Sequence, residues 1–224
     1  MNQKLSPGQN AAPENPAPSE TDDASAERTY ARGRATKGHI LDVAMTTFAE
    51  NGYRGSSLRD IAGRAGMSHP GLLYHFPTKE ALLMAVLERR DEQDASVNPV
   101  VPEGGIVSLA NLVRSARVNE GRPGVVELFA VVSAEATSSR HPAHDFFRDR
   151  YDALVKKLES AYRKGQEAGD VRPEIDAAAA AQQAVAIMDG LQVQWLLGVR
   201  STPMSEVLRL HFESQMTVPL VVED

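Results

Sequence analysis

Two short helical segments three residues apart constrain this chain more than any other feature of it. Leu58, Ile61, Ala62 and Ala65 recur at the spacing of one helix face, and Gly66 supplies a stop. Ser57-Leu58-Arg59-Asp60 reads as a capping-box-like start, with Asp in place of the usual Glu. After Met67, Ser68 can cap a second segment, in which Pro70 is tolerated because first-turn amides have no intrahelical partner. Leu72, Leu73 and Phe76 follow, and Pro77 breaks the run. Two short helices joined by Gly66-Met67-Ser68 have helix-turn-helix geometry. The second is barely two turns, too short to be stable alone. Its neighbours must hold it: a helix from about Thr36 carrying Ile40, Leu41, Ala44 and Phe48 and ending at Asn51-Gly52, and one capped by Thr78 that carries Leu82, Leu83, Val86 and Leu87 to about Asp94.

The exposed side of the second segment would present Ser68, His69, Gly71, Tyr74 and His75, small or polar groups plus an aromatic hydroxyl. A helix that enters the major groove needs such groups to approach base edges and phosphates. The charge of the whole chain, −6, looks wrong for that task until it is divided. Residues 1–27 hold one Lys against five acids, residues 28–79 hold eight Lys and Arg against three acids, and residues 80–224 hold fifteen against twenty-two. One basic block lies between two acidic ones, and phosphate attraction needs only a local positive surface.

The remainder bounds the fold. Residues 1–30, rich in Pro and small polar residues, are expected to be a disordered tail. After a loop at 99–105, helices are expected near 106–119, 124–137, 142–168, 174–198 and 203–216. No convincing alternating β pattern occurs beyond short Val runs at 97–101 and 218–222. The 224 residues contain no cysteine, which excludes disulfides and Cys-ligated metal. No stretch approaches ~18 apolar residues and residues 1–27 show no signal peptide, so a cytoplasmic protein with no membrane partner is expected. Nothing supports an enzyme: there is no nucleophile elbow, Gly-rich phosphate loop, metal-ligand cluster or pair of catalytic acids. His141 and His144 with Asp145 have a spacing that permits a metal, but a solvated helix start is the expectation, with no metal and no cofactor.

Gly52-Tyr53 through Ser56-Ser57, Asp60-Ile61-Ala62, Ala65-Gly66-Met67-Ser68, Tyr74-His75-Phe76 and Lys79-Glu80-Ala81-Leu82 resemble the DNA-binding domain of the TetR/AcrR family of bacterial repressors. The match keeps its internal spacing over about fifty residues. A weaker likeness to a family penultimate helix runs from Pro173-Glu174-Ile175-Asp176 to Asp189-Gly190-Leu191-Gln192 and Trp195-Leu196-Leu197. The chain departs from the family pattern where many members have Gly two residues and Tyr five residues after the turn Ser. Pro70 and Leu73 stand there, and Gly71 comes one later. The Leu-Leu-Tyr-His-Phe ending looks like a subgroup variant. Tyr74 is favoured over Leu73 for phosphate contact because its hydroxyl can donate to a phosphate oxygen.

The resemblance implies an all-α chain of about nine helices, with an N-terminal three-helix helix-turn-helix DNA-binding domain (31–80) followed by a helical ligand-binding and dimerisation domain (81–224). By position it implies DNA contacts from Ser57 and Arg59, base reading at Ser68, His69, Pro70 and Gly71, and backbone grip by Tyr74, His75 and Lys79. Arg34, Lys37 and Arg54 are further candidate phosphate neighbours, with a solvated surface charge as the competing reading of each Arg and Lys. A homodimer through the last two long helices is implied, the last offering Val207, Leu208, His211 and Phe212. An unidentified small organic effector is implied in a pocket lined by Phe129, Phe146, Tyr151, Met188, Gln192 and Trp195, although aromatic and Met residues at helical spacing also suit plain core. The expected function is a ligand-responsive repressor that binds a near-palindromic operator as a dimer. Activation uses the same head, and an interaction protein that has lost DNA binding remains open.

Overall fold

The computed structural model describes residues 20–199 and 202–222, and of residues 20–32 and Val97 the backbone alone. Among the described residues the secondary structure is helical, with no named strand and one isolated antiparallel bridge, Val171 to Met216. The Val-rich stretches at 97–101 and 218–222 form no strand. The chain divides into two compact units, Met1–Gly38 and His39–Asp224. In the first, Arg34 and Lys37 are exposed.

The first helix, α1, spans Glu20–Gly55 and so starts well before Thr36. Acids at Glu20, Asp22 and Asp23 suit a helix N-terminus, and the Ala, Glu and Arg residues that follow are good helix formers. Residues 1–19 of the expected tail lie outside the described residues. Near its other end α1 is interrupted at Gly52, φ 67° and ψ 176°, at the expected stop.

The two motif helices follow, α2 (Leu58–Arg64) and α3 (His69–His75). Their caps are those the sequence encodes. Ser57 Oγ accepts from Asp60 N at 3.1 Å, and Ser68 Oγ accepts from Gly71 N at 3.2 Å. Between them Met67 N donates to Ala62 O and Gly66 N to Gly63 O, with Gly66 at φ 67°. This paired closure needs a left-handed residue, which glycine supplies without a Cβ penalty. Helix α4 (Lys79–Val97) starts at once, with Thr78 Oγ1 accepting from Ala81 N.

A loop containing a short 3-10 turn, Pro102–Gly104, leads to α5 (Ile106–Glu120), α6 (Pro123–Glu135), α7 (His144–Ala168), α8 (Ala177–Leu196) and α9 (Met204–Glu213). The buried apolar residues form two clusters. One joins α1–α4 to α6 and the start of α7, through Phe48, Ile61, Leu72, Leu83, Phe129 and Phe147. The other lies within α5, α7, α8 and α9, around Leu109, Leu158, Tyr162, Ala181, Leu208 and Phe212. The helix-turn-helix therefore shares one apolar core with α1, α4, α6 and the start of α7. Among the described residues no helix is long and apolar enough to cross a membrane.

Candidate nucleic-acid interface and ligand cavity

Helix α3 is anchored by one fully buried side chain, Leu72. The rest of it faces outward. Ser68, Pro70 and Tyr74 are exposed, and His69, Gly71 and His75 are half-buried. Tyr74 is 87% exposed, with its ring edge-on to His75 at 5.3 Å. A tyrosine that large and that exposed contributes nothing to the core, which leaves its hydroxyl available to a partner. Arg54 is exposed in the last turn of α1, and Ser57 and Arg59 are exposed at the start of α2, where free first-turn amides and the helix dipole favour an anion.

Lys79 is placed differently from the sequence expectation. Its ammonium donates to Tyr53 O at 2.7 Å and to Ser56 O at 2.9 Å, and lies 4.2 Å from the centre of the Tyr53 ring. Two of its three donors thus close the end of α1 instead of facing solvent. Burial lowers its pKa, opposed by the charge of Glu135. Arg64, exposed at the end of α2, bridges Glu50 of α1 at 2.6 Å and Asp60 at 3.3 Å on the surface.

The sequence reading missed the joint behind this head. Glu135, the last residue of α6, accepts from Tyr53 N at 2.7 Å. A Cβ at position 52 would fall 2.7 Å from the same carboxylate, so Gly52 serves both the turn and the close approach. His141, read as part of a solvated helix start, is instead buried edge-on against Tyr53 at 5.0 Å. Its Nδ1 accepts from Ala143 N, its Nε2 lies 3.7 Å from Glu135, and burial lowers its pKa. His144 Nδ1 lies 2.8 Å from Ala136 O, so the two rings serve separate local contacts.

The candidate pocket residues divide. Phe129, Tyr151, Met188 and Gln192 line one enclosed cavity of about 60 Å³ among α4, α5, α6, α7 and α8. Phe146 lines a larger neighbouring cleft of about 620 Å³ between the end of α4 and α7. Trp195 lines neither and is half-buried on α8.

What the sequence reading did not find is the charge in the cavity wall. The guanidinium of Arg90 lies 4.0 Å from the Phe129 ring centre and that of Arg150 lies 4.9 Å from it. Both bond Asp91, Arg90 at 3.0 Å and Arg150 at 2.9 Å. Asp189 accepts from the Tyr151 hydroxyl. Burial raises its pKa and, with the Asp189 charge, pushes that of Tyr151 up to about 12. One signal was available: Asp189 is the single charged residue in the sequence of α8. An isolated carboxylate in an apolar helix needs a reason to be there.

The expected dimer surface also divides. Leu208 and Phe212 are fully buried in the chain's own core, because α9 packs on α5 and α8 and Phe212 meets the Tyr162 ring of α7. The exposed apolar residues are instead Val193, Leu196 and Leu197 at the end of α8, Val199 after it, and Leu210 of α9.

Comparison with known proteins places both halves. The family model described as "Bacterial regulatory proteins, tetR family" matches residues 40–86, and that of "BetI-type transcriptional repressor, C-terminal" matches residues 113–216. The HTH-type transcriptional regulator RutR of Escherichia coli is 49% identical over 55 residues, 25% of this chain and 26% of that one. The chain thus spans about a quarter of the length of that relative. The HTH-type transcriptional regulator TtgR of Pseudomonas putida is 28% identical over 181 residues, 76% of this chain and 84% of that one. Among solved structures, a transcriptional regulator from Saccharomonospora viridis in complex with choline matches with TM-score 0.68 and 26% identity, over 82% of this chain and 98% of that one.

Proposed function

The chain belongs to the TetR family of bacterial regulatory proteins, and from that premise we propose that it is a ligand-responsive transcriptional repressor that binds a near-palindromic operator as a homodimer. The observation that carries this reading is α3, which buries Leu72 and leaves Ser68, Pro70 and Tyr74 exposed and His69, Gly71 and His75 half-buried. Ser68 to Gly71 would meet base edges, and Tyr74 and His75 the sugar-phosphate backbone. Ser57 and Arg59 would add phosphate contacts from the start of α2, and Arg34, Lys37 and Arg54 others from α1. Lys79 supports the head by holding the end of α1, with Tyr53 and Ser56 as its acceptors. Residues 31–80 are the DNA-binding part in this reading, and 81–224 carry effector and dimer surfaces.

The dimer would bury the apolar ends of α8 and α9, where Leu197 is 72% exposed and Leu210 51%. An uncovered apolar surface of this kind favours a second copy. The effector would occupy the cavity beside Phe129 and Tyr151. Helix α4 links the two ends of the device: its N-cap Thr78 follows α3 directly, and its C-cap Asn98 lines the cavity. An effector that prefers one position of α4 would shift the head and release DNA, and one without such preference would do nothing. No catalytic step belongs to this reading, and a protein that acts on DNA in this way works in the cytoplasm.

Selection from random-sequence duplex DNA tests the proposal. The expected outcome is one near-palindromic site whose half-sites lie on successive major grooves, about 10 base pairs apart. Absence of sequence-specific retention at low salt would overturn it.

A further inference from the structure

The cavity wall holds a buried side chain that no described residue satisfies. Asn98 is 4% exposed, and neither its Nδ2 nor its Oδ1 has a hydrogen-bond partner among the described residues. Its backbone is settled, because its N–H donates to Asp94 O at 2.9 Å as the cap of α4. Only the amide is left over, and Asn98 lines both the enclosed cavity and the larger outer cleft. Burying an amide without partners costs free energy, so such a group in a folded protein calls for a specific occupant.

The charges around Asn98 restrict that occupant. Arg90 and Arg150 are the cations of the wall, and both are held by Asp91. An anionic ligand would have to displace that carboxylate. The two guanidiniums also lie against Phe129, one of the two aromatic rings of the cavity that a quaternary ammonium would seek; the hydroxyl of the other, Tyr151, is bonded to Asp189. The acids of the cavity are engaged as well: Asp94 lies 3.9 Å from Arg90, and Asp189 accepts from the Tyr151 hydroxyl. The remaining polar groups of the wall are neutral: the Asn98 amide, with Ser115, Asn119 and Gln192. An amide that offers one donor and one acceptor side by side is complementary to another amide edge. The outer cleft shares Asn98 with the cavity and adds Val101, Phe146 and Ala153, which suit an apolar tail.

We propose that the effector is a small neutral molecule with an amide-type edge, a lactam, cyclic urea or primary amide, that pairs with Asn98 and extends an apolar tail into the cleft between α4 and α7. This deepens the effector site proposed above and rests on that reading. Because Asn98 caps α4, pairing with it acts on the helix whose other end abuts α3.

The probes are 2-piperidone, its ring-oxygen counterpart δ-valerolactone, 6-pentyl-2-piperidone, choline and acetate, with binding to the full chain read by ligand-observed NMR and thermal shift. The lactam should bind about tenfold or more tighter than the lactone, which keeps the carbonyl and lacks the N–H. The pentyl lactam should gain up to about fourfold for each methylene it buries. Asn98→Leu should fold with a Tm equal to or above that of the wild type and lose the preference for lactam over lactone. Equal binding of lactam and lactone, no binding of either lactam, stronger binding of choline or acetate, no gain from the pentyl chain, or an unchanged lactam preference in Asn98→Leu would each overturn the proposal. Should Asn98→Leu fail to fold, the lactam and lactone pair still decides in the wild type. Retention of DNA by the unliganded protein is scored separately. DNA retention without lactam preference overturns the ligand class alone, and lactam binding without DNA retention overturns the regulator reading.

Discussion

Helix α3 and the cavity wall are built on opposite choices. Helix α3 holds one buried residue, Leu72, and turns its polar groups outward, so its chemistry lies on the surface and its stability elsewhere. The cavity wall takes its polar groups inward, with Arg90, Arg150 and Asp91 bonded to one another and Asn98 left over. A surface that reads DNA must be available without cost, because solvated side chains give up only water when they bind. A cavity that senses a ligand needs groups whose satisfaction changes on binding, since only a difference between states moves an equilibrium. The head should therefore separate stability from function, and the cavity should couple them.

The largest effect that can break this contrast is at Leu72. Leu72→Ala removes the one anchor of α3 and should cost about 2–5 kcal/mol in urea unfolding, with DNA retention lost alongside. A small loss of stability would mean that α3 is held by something other than its core contact. Next comes Asp91→Ala, which leaves two guanidiniums against one ring without their shared carboxylate. Hydrogen bonds to charged groups suggest a loss of roughly 1–3 kcal/mol, at the lower end because Asp91 is partly solvated. Lactam binding should fall with it, while DNA retention by the unliganded protein persists. If stability and lactam binding separate in this variant, the cavity is not coupled in the way proposed.

What was legible in the sequence follows the same line. The head is specified by neighbours: Ser57, Ser68 and Thr78 each cap the helix that follows, Gly66 turns between α2 and α3, and Gly52 stops α1. All of these are rules of a few residues' reach, so α2, α3 and the start of α4 could be placed to within a residue or two. The joint and the cavity are specified at long range. Glu135 meets Tyr53 across 82 residues and Arg150 meets Asp91 across 59. Periodicity carries no information about such pairs. It also could not separate pocket from core or interface from core: Phe129 lines the cavity while Trp195 does not, and Leu208 is buried internally while Leu210 is exposed. The early start of α1 had a different cause, since a Pro-rich opening masked the helix-forming residues after Glu20.

Lys79 sharpens the comparison because it belongs to the head in sequence and to the buried joint in structure. Lys79→Met keeps the apolar stem and removes the donors to Tyr53 O and Ser56 O. The expected cost is about 1–2 kcal/mol in unfolding, from hydrogen bonds lost at a half-buried helix end. A phosphate contact predicts something else: unchanged stability and a DNA-binding salt slope shallower by about one unit. Unfolding curves beside binding isotherms at several salt concentrations separate the two, and a flattened slope with full stability would return Lys79 to the interface.

The smallest expected effect is the most diagnostic. Tyr74→Phe removes one oxygen from a side chain that is 87% exposed, so unfolding should change by less than about 0.5 kcal/mol. DNA binding should still weaken, by the roughly 0.5–1.5 kcal/mol of one hydrogen bond, or about two- to tenfold in Kd. The loss should be nearly the same for the selected operator and for unrelated duplex, because a backbone contact carries no sequence information. A loss confined to the operator would place Tyr74 on a base instead. No loss on either would take the hydroxyl out of the interface and leave the aromatic ring of Tyr74, set edge-on to His75, as the part that meets DNA. Unchanged stability with uniformly weaker binding is the signature of a residue kept outside the core for the sake of a partner, which Asp91 and Asn98 cannot imitate from inside the cavity wall.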